Sequence, residues 1–262
     1  VSFADLPDCC DLVHGLSLRV STPFLSVIIP AYNEEKRLPQ TLEQACAFVD
    51  AQPYNAEILV VENGSWDGTA QVAADFAARY PFVRALHSEP RGKGRAVQTG
   101  ILAANGEYRF ICDADFSMPI EEINRFLPPA IPDAPIVIAS REGPGARRYN
   151  EPQYRHFIGR IFNGMVKIFA LPGLQDSQCG FKCFRADVAE QLFPLQTIGG
   201  WTFDVEILFI ARKRRIPVRE LGIPWYFNPD SKVRFWRDSW HMALDLFKIR
   251  WNSLRGRYDP PL

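Results

Sequence analysis

Leu25-Ser26-Val27-Ile28-Ile29-Pro30-Ala31-Tyr32-Asn33-Glu34-Glu35 carries the first decision about the fold. Residues 25–29 form a short apolar run stopped by Pro30, the pattern of a strand buried on both faces. Asn33 is a residue type that caps helices, and Leu38, Leu42, Cys46 and Val49 follow at helical spacing. The unit then repeats. Ile58–Val61 predicts a strand broken by Asn63-Gly64-Ser65, and Thr69 opens a helix with Val72, Phe76 and Ala77 on one face. Val83–Leu86 reads as a strand, Gly92-Lys93-Gly94 as a loop and Arg95–Ala104 as a helix; Tyr108–Cys112 and Ile136–Ser140 are further strands. This alternation predicts an α/β, Rossmann-like fold with a mostly parallel central sheet flanked by helices. Ligands of such sheets bind beyond the carboxyl ends of the strands, where the polar segments just named fall.

The second half is less regular. Tyr154–Leu171 and Phe203–Lys213 have helical patterns, Cys179–Phe184 and Val218–Leu221 read as strands, and 233–254 as a final amphipathic helix. The expected division is an extension over 1–22, one domain over 23–232, and a C-terminal helix and tail over 233–262. A chain of 262 residues with 47% hydrophobic and 23% charged residues suits one sizeable core, and a formal net charge of zero argues against nucleic acid as a partner. The sequence has no apolar run of spanning length and no signal-peptide pattern at its start, so the expected location is cytoplasmic. Cys179 and Cys183 lack the His or Cys partners of a zinc site.

Asp113-Ala114-Asp115, straight after Phe110-Ile111-Cys112, is the sharpest chemical feature. Carboxylates separated by one residue can share a side of an extended segment and offer hard oxygens to Mg²⁺ or Mn²⁺. Such an ion stabilises a departing diphosphate; the plainer reading is a solvated aspartate pair in a turn. Pro30, Tyr32 and Glu34 leave the first strand where a ring and a carboxylate can meet a base, or simply lead into a helix. Glu62 and Asn63 stand after the second strand with the same pair of readings. Lys93, between two glycines and before a helix, suits a diphosphate. The spacing is not that of an ATP-binding phosphate loop, and no Gly-x-Gly-x-x-Gly follows the first strand, which argues against a dinucleotide oxidoreductase.

Four segments in order, Ser26–Glu35, Glu62–Thr69, Gly92-Lys93-Gly94 and Asp113-Ala114-Asp115, together resemble the GT-A fold of the family-two glycosyltransferases. Asp176-Ser177-Gln178-Cys179-Gly180-Phe181-Lys182, Trp201–Glu206 and Ser231-Lys232-Val233 are similar to the dolichyl-phosphate β-glucosyltransferase branch, related to polyprenyl-phosphate mannose synthases. The resemblance runs from about Ser26 to about Asn252. It implies an inverting transfer of glucose from UDP-glucose to a polyprenyl phosphate. Pro30, Tyr32, Glu34, Glu62 and Asn63 would hold the nucleoside, and Asp113 and Asp115 the metal and sugar diphosphate. Where the family carries two aspartates, this chain has Glu62-Asn63. The resemblance also places Arg141, Arg155 and Lys232 near the acceptor phosphate, Gln178 and Lys182 around the sugar, and Asp204 where relatives carry a catalytic carboxylate. For a hydroxyl acceptor Asp204 would act as general base; a phosphate acceptor, already an anion, needs positioning instead. Asp115, Asp204 and Arg141 are thus the residues expected to carry the transfer.

Trp236, Trp240, Ala243, Phe247, Trp251 and Leu254 recur at helical spacing in the final helix, beside Lys232, Arg234, Arg237, Lys248, Arg250, Arg255 and Arg257. This suits peripheral contact with an anionic membrane on its cytoplasmic face. The same helix equally reads as packed on the domain, as part of an acceptor channel or as an oligomer contact. Three other functions stay open: mannosyl transfer from GDP-mannose, transfer to a non-lipid hydroxyl, and nucleotide-sugar binding without turnover.

Overall fold

Strand β1 (Leu25–Ala31) is buried along its length except at half-buried Pro30, because side chains on its two faces enter two different cores. Val27 and Ile29 face one core and Ile28 the other, as the two-residue period of a strand requires. Each such fully buried Val or Ile contributes roughly 1.5–3 kcal/mol. The structure, a computed structural model, describes residues 22–115, 117–132, 134–228 and 235–259. The side chains of Tyr154, Arg155, Phe157, Ile158, Ile161 and residues 235–239 lie outside that description.

The elements follow in the order β1, α1 (Leu38–Asp50), β2 (Ala56–Glu62), α2 (Thr69–Arg79), β3 (Val83–His87), α3 (Lys93–Ala103) and β4 (Tyr108–Cys112). After them come β5 (Ile136–Ser140), β6 (Arg147–Tyr149), α4 (Gln153–Phe169), β7 (Phe181–Arg185) and α5 (Ala186–Leu192). The chain closes with α6 (Phe203–Lys213), β8 (Val218–Gly222), β9 (Pro224–Tyr226) and α7 (Phe235–Leu254). Among the described residues seven strands form one sheet in the order β3-β2-β1-β4-β7-β5-β8. All its pairings are parallel except those of β7, which runs antiparallel to β4 and β5. Helices α1 and α2 cover one face, and α3, α5, α6 and α7 pack into the core of the other. Strands β6 and β9 form a separate parallel pair with Arg148 opposite Trp225.

Two features place the site. The chain winds outward from β1 through β2 to β3, then returns to put β4 on the other side of β1, so a switch point opens between β1 and β4. The reversed strand β7 brings the residues that precede it, 176–180, to the carboxyl edge of β4 and β5, with Cys112 opposite Phe181. The sequence alternation predicts parallel strands and misses this reversal.

Local differences from the sequence reading have physical causes. Asn33 does not cap α1: it has a left-handed backbone (φ 53°), and its side-chain oxygen accepts the Trp66 N–H at 3.1 Å. The Arg37 and Leu38 N–H groups bond the Glu34 carbonyl instead, and α1 begins at Leu38. Lys93 is the first residue of α3 rather than part of a loop. Helix α7 buries Leu246, Ile249 and Asn252 against the domain yet exposes Trp240, Leu244, Phe247, Trp251 and Leu254. Among the described residues no helix is long and apolar enough to cross a membrane.

Candidate active site

A cavity of about 840 Å³ opens along the carboxyl edge of the sheet. Pro30 near the end of β1, Tyr32 and Glu34 after it, Asn63 after β2, Asp113 and Asp115 after β4 and Arg141 after β5 line it, so the switch point lies at its floor. Lys93 enters from the amino end of α3, Gln178 and Gly180 from the segment before β7, and Asp204 from the first turn of α6.

The charged centre is built from these meetings. Lys93 Nζ lies 2.5 Å from Asp113 Oδ1. Burial opposes the Lys93 charge, but Asp113, Asp204 and Asp115 outweigh it and raise the pKa of the ammonium. The Ser117 N–H donates to Asp115 Oδ1 at 3.1 Å. Burial, then the neighbouring Asp113 charge, push the Asp115 carboxyl upward against that bond. Gly180 is required here, since a Cβ on it would fall 1.9 Å from Asp113 Oδ2. Among the described residues no cluster of three or more His, Cys, Asp or Glu side chains can cage a metal. A pair of carboxylates fits Mg²⁺ or Mn²⁺, which complete their octahedron with waters and a substrate diphosphate. Among the described residues Asp113 pairs with Lys93, while Asp115 makes no ion pair.

Behind the cavity wall Lys182, 1% exposed and expected around the sugar, does not line the cavity; its Nζ lies 2.7 Å from Asp204 Oδ1 and donates to the Cys179 carbonyl. Burial raises the Asp204 pKa, while Lys182 and Lys93 pull it down. On the far wall Arg141 grips Asp176 with both Nε (2.6 Å) and Nη2 (2.9 Å). Burial would raise the Asp176 carboxyl, but the Arg141 guanidinium holds it down at about 2. Beside it Arg148 donates to Glu142 at 2.8 Å, to Glu151 at 2.6 Å and to the Arg141 carbonyl at 3.1 Å. Both guanidinium groups lie within 6 Å of the Trp225 ring centroid, at 5.5 and 5.7 Å.

The opposite end carries an aromatic corner. The Arg91 guanidinium stands 3.8 Å over the Tyr32 ring, and Trp66, 77% exposed, meets the same ring edge-on at 5.5 Å. The Tyr32 hydroxyl is buried with no hydrogen-bond partner among the described residues. A flat, electron-rich ring system with a waiting polar group suits a nucleobase.

Residues 26–193 match the family described as "Glycosyl transferase family 2". The chain belongs to that family. It is 33% identical over 258 residues to the dolichyl-phosphate beta-glucosyltransferase of Homo sapiens, covering 90% of this chain and 78% of that protein. With the enzyme of the same name from Dictyostelium discoideum it shares 35% over 249 residues, 89% of this chain and 76% of the other. The fold is also that of glucosyl-3-phosphoglycerate synthase from Mycobacterium tuberculosis, crystallised with Mn²⁺, UDP-glucose and phosphoglyceric acid. The TM-score is 0.61 at 17% identity, over 92% of this chain and 81% of that one. Mannosyl-3-phosphoglycerate synthase from Rubrobacter xylanophilus gives 0.64 at 16%, over 92% and 77%. At that identity the likeness establishes the GT-A fold.

In this family-2 glycosyltransferase the cavity gathers Pro30, Tyr32, Glu34, Asn63, Lys93, Asp113, Asp115, Arg141, Gln178 and Asp204, as the sequence predicts. Glu62 is the exception: it does not line the cavity. Its carboxylate accepts the Ser65 N–H and sits 2.6 Å from His87 Nδ1, so it shapes the loop that carries Trp66. Asn63 also braces that loop, donating to the Ser88 carbonyl at 2.7 Å. The Arg155 side chain and Lys232 lie outside the described residues. Arg148, Glu142, Glu151 and Trp225 were not legible, because the β6–β9 pairing that joins them spans distant sequence. Trp66 and Asp176 stand within segments that carry the family resemblance and Arg91 directly precedes one; what their side chains face is set by the fold.

Proposed function

We propose that this glycosyltransferase moves glucose from UDP-glucose to a polyprenyl (dolichyl-type) phosphate, with inversion, to give a β-linked lipid phosphosugar. The observation that carries the reading is one cavity with the Asp113 and Asp115 carboxylates beside Lys93 on one wall and a pair of arginines, Arg141 and Arg148, on the other. Relatives named for that reaction, similar along most of both chains, support the choice of donor and acceptor.

Tyr32, Trp66 and Arg91 form the base subsite, and Lys93 meets the diphosphate at the amino end of α3, where the helix dipole also favours an anion. Asp113 and Asp115 are the residues that would hold Mg²⁺ or Mn²⁺. When bound, that ion neutralises charge on the departing nucleoside diphosphate. The acceptor phosphate attacks in line without a general base, since it is already anionic. Asp204, fixed by Lys182, orients the sugar or acceptor. Arg141 offers its remaining guanidinium edge, and Arg148 becomes available as its carboxylate partners yield.

The exposed stripe Trp240, Leu244, Phe247, Trp251 and Leu254, flanked by exposed Lys248, Arg250, Arg255 and Arg257, is read as peripheral contact with the cytoplasmic face of an anionic membrane. Its neighbour Met242 lines the cavity, so the acceptor end of the site opens beside that face.

The test incubates purified protein with Mn²⁺ or Mg²⁺, a short-chain polyprenyl phosphate, and UDP-glucose or GDP-mannose in separate reactions, with mass spectrometry of the lipid. Glucosyl-lipid from UDP-glucose alone is the expected result. Product from GDP-mannose alone reassigns the donor. Hydrolysis or binding without a lipid product overturns the acceptor.

A further inference from the structure

The amino end of α3, at Gly92-Lys93-Gly94, is gripped from behind by a segment more than a hundred residues away. Gln196 Nε2 donates to the carbonyls of Gly94 and Ile198, both at 2.8 Å, and the Arg95 N–H approaches the Gly199 carbonyl at 3.3 Å. Gly92, at φ 154°, has no room for a side chain, since a Cβ there would lie 2.3 Å from the Gly199 oxygen. The same segment ends in Gly200 and Trp201, which line the cavity, and the Lys93 ammonium is 5.2 Å from the Trp201 ring centroid.

What holds this segment is a fully buried carboxylate. Glu206 in α6 accepts the Thr197 N–H at 3.0 Å, the Ile198 N–H at 2.8 Å, the Thr197 hydroxyl at 2.5 Å and the Tyr258 hydroxyl at 2.7 Å. Asn252 of α7 closes the cluster, donating to Thr197 Oγ1 at 3.0 Å and to Tyr258 Oη at 3.2 Å. A buried charge is tolerable only when its lone pairs are satisfied in this way. Tyr258 follows α7 and is itself fully buried, its ring against Phe209.

We infer that Tyr258, acting through Glu206 and Thr197, is a positioning residue for donor binding: it latches the 197–201 segment onto the amino end of α3 and thereby sets Lys93 and Trp201 toward the diphosphate. The inference rests on the nucleotide-sugar reading above. It makes the end of the helix that carries the exposed apolar stripe a structural support of the donor subsite. Thr197, Glu206, Asn252 and Tyr258 do not line the cavity, so their effect is expected on donor affinity rather than on the chemical step.

The test measures UDP affinity with Mn²⁺ by calorimetry, UDP-glucose kinetics and thermal midpoint for wild type, Tyr258→Phe and Thr197→Val. Tyr258→Phe keeps the ring and removes the hydroxyl that donates to Glu206 and accepts from Asn252; Thr197→Val removes the opposing hydroxyl and serves if the first variant folds poorly. The expected result is a rise of about fivefold in both the UDP Kd and the UDP-glucose KM, the scale of one buried hydrogen bond. The kcat and the acceptor KM stay within about twofold. Combining either change with Trp201→Ala gives less than the sum of the separate effects, because they act through one contact. Unchanged UDP affinity with a lowered thermal midpoint in both variants overturns the proposal and leaves Tyr258 a brace of the fold. Wild-type protein that binds no uridine nucleotide sinks the donor reading, and the latch with it; failure of the latch alone leaves wild-type binding intact.

Discussion

The two ends of the cavity handle charge in opposite ways. On the proposed donor side Lys93 pairs with Asp113, and Asp115 makes no ion pair among the described residues. On the proposed acceptor side Arg141 and Arg148 are locked onto carboxylates, Asp176 and Glu142 with Glu151, and between the two sides Lys182 is locked onto Asp204. The donor side stores unmet negative charge that a cation can answer at once. The acceptor side is neutralised internally, so an anion must exchange its own contacts for pairs already made. A guanidinium enclosed without a partner costs several kcal/mol, while a carboxylate pair at a cavity wall can keep water until its ligand arrives.

Asp115→Asn tests the donor side of this comparison most severely. Transfer is expected to fall about a thousandfold, as loss of charge stabilisation at the leaving group implies. The folded-state pKa of Asp115 is raised, so its favourable contribution to stability exists below the ordinary carboxylate pKa and is lost as pH rises through the folded value. The neutral variant should therefore melt no lower than wild type near neutral pH. A melting point that drops with activity would break the comparison.

Asp176→Asn is the mirror experiment. It leaves the Arg141 charge buried and should cost about 3 kcal/mol in denaturant unfolding at neutral pH. Asp176 is depressed, to about 2, so its stabilisation is present above the unfolded carboxylate pKa and disappears as pH falls toward 2. Wild type and variant should accordingly converge in stability under acid. Parallel curves across that range would show that the pair is not what the acceptor wall rests on.

Gly180→Ala sharpens the seam between the two sides. Its Cβ must displace the Asp113 carboxylate, and a misplacement of that order is expected to cost about a hundredfold in kcat/KM with intact secondary structure by circular dichroism. The smallest effect is expected from Arg148→Ala. It frees Glu142 and Glu151 to repel an anion, raising the acceptor KM about tenfold with the donor KM unchanged. A rise in donor KM instead would place Arg148 on the wrong side of the comparison.

Legibility in the sequence divides along the same line. In the N-terminal half β1, β2 and β4 lead straight into cavity-lining residues, so Tyr32, Asn63, Asp113 and Asp115 could be read from apolar runs and the polar residues at their carboxyl ends, and Lys93 from its place between two glycines before a helix. Glu62 shows the limit: its position at the end of β2 is right for a ligand contact, yet its carboxylate turns to Ser65 and His87. In the C-terminal half Arg141 and Asp204 stood out through resemblance to a family, while Asp176, Arg148 and Trp225 carry no local pattern that announces their partners.

By itself the sequence determined the α/β class, the strand positions of the donor half, the aspartate pair and the family. Those are written in short-range periodicity and in residues adjacent to strand ends, where backbone geometry leaves little choice of position. Tertiary structure alone decided that β7 runs backward, that Arg141 and Arg148 are already paired, and that Tyr258 braces the segment behind Lys93. Each of these depends on contacts between segments far apart in the chain, whose partners are selected by the packing of the whole sheet and its helices rather than by any local propensity.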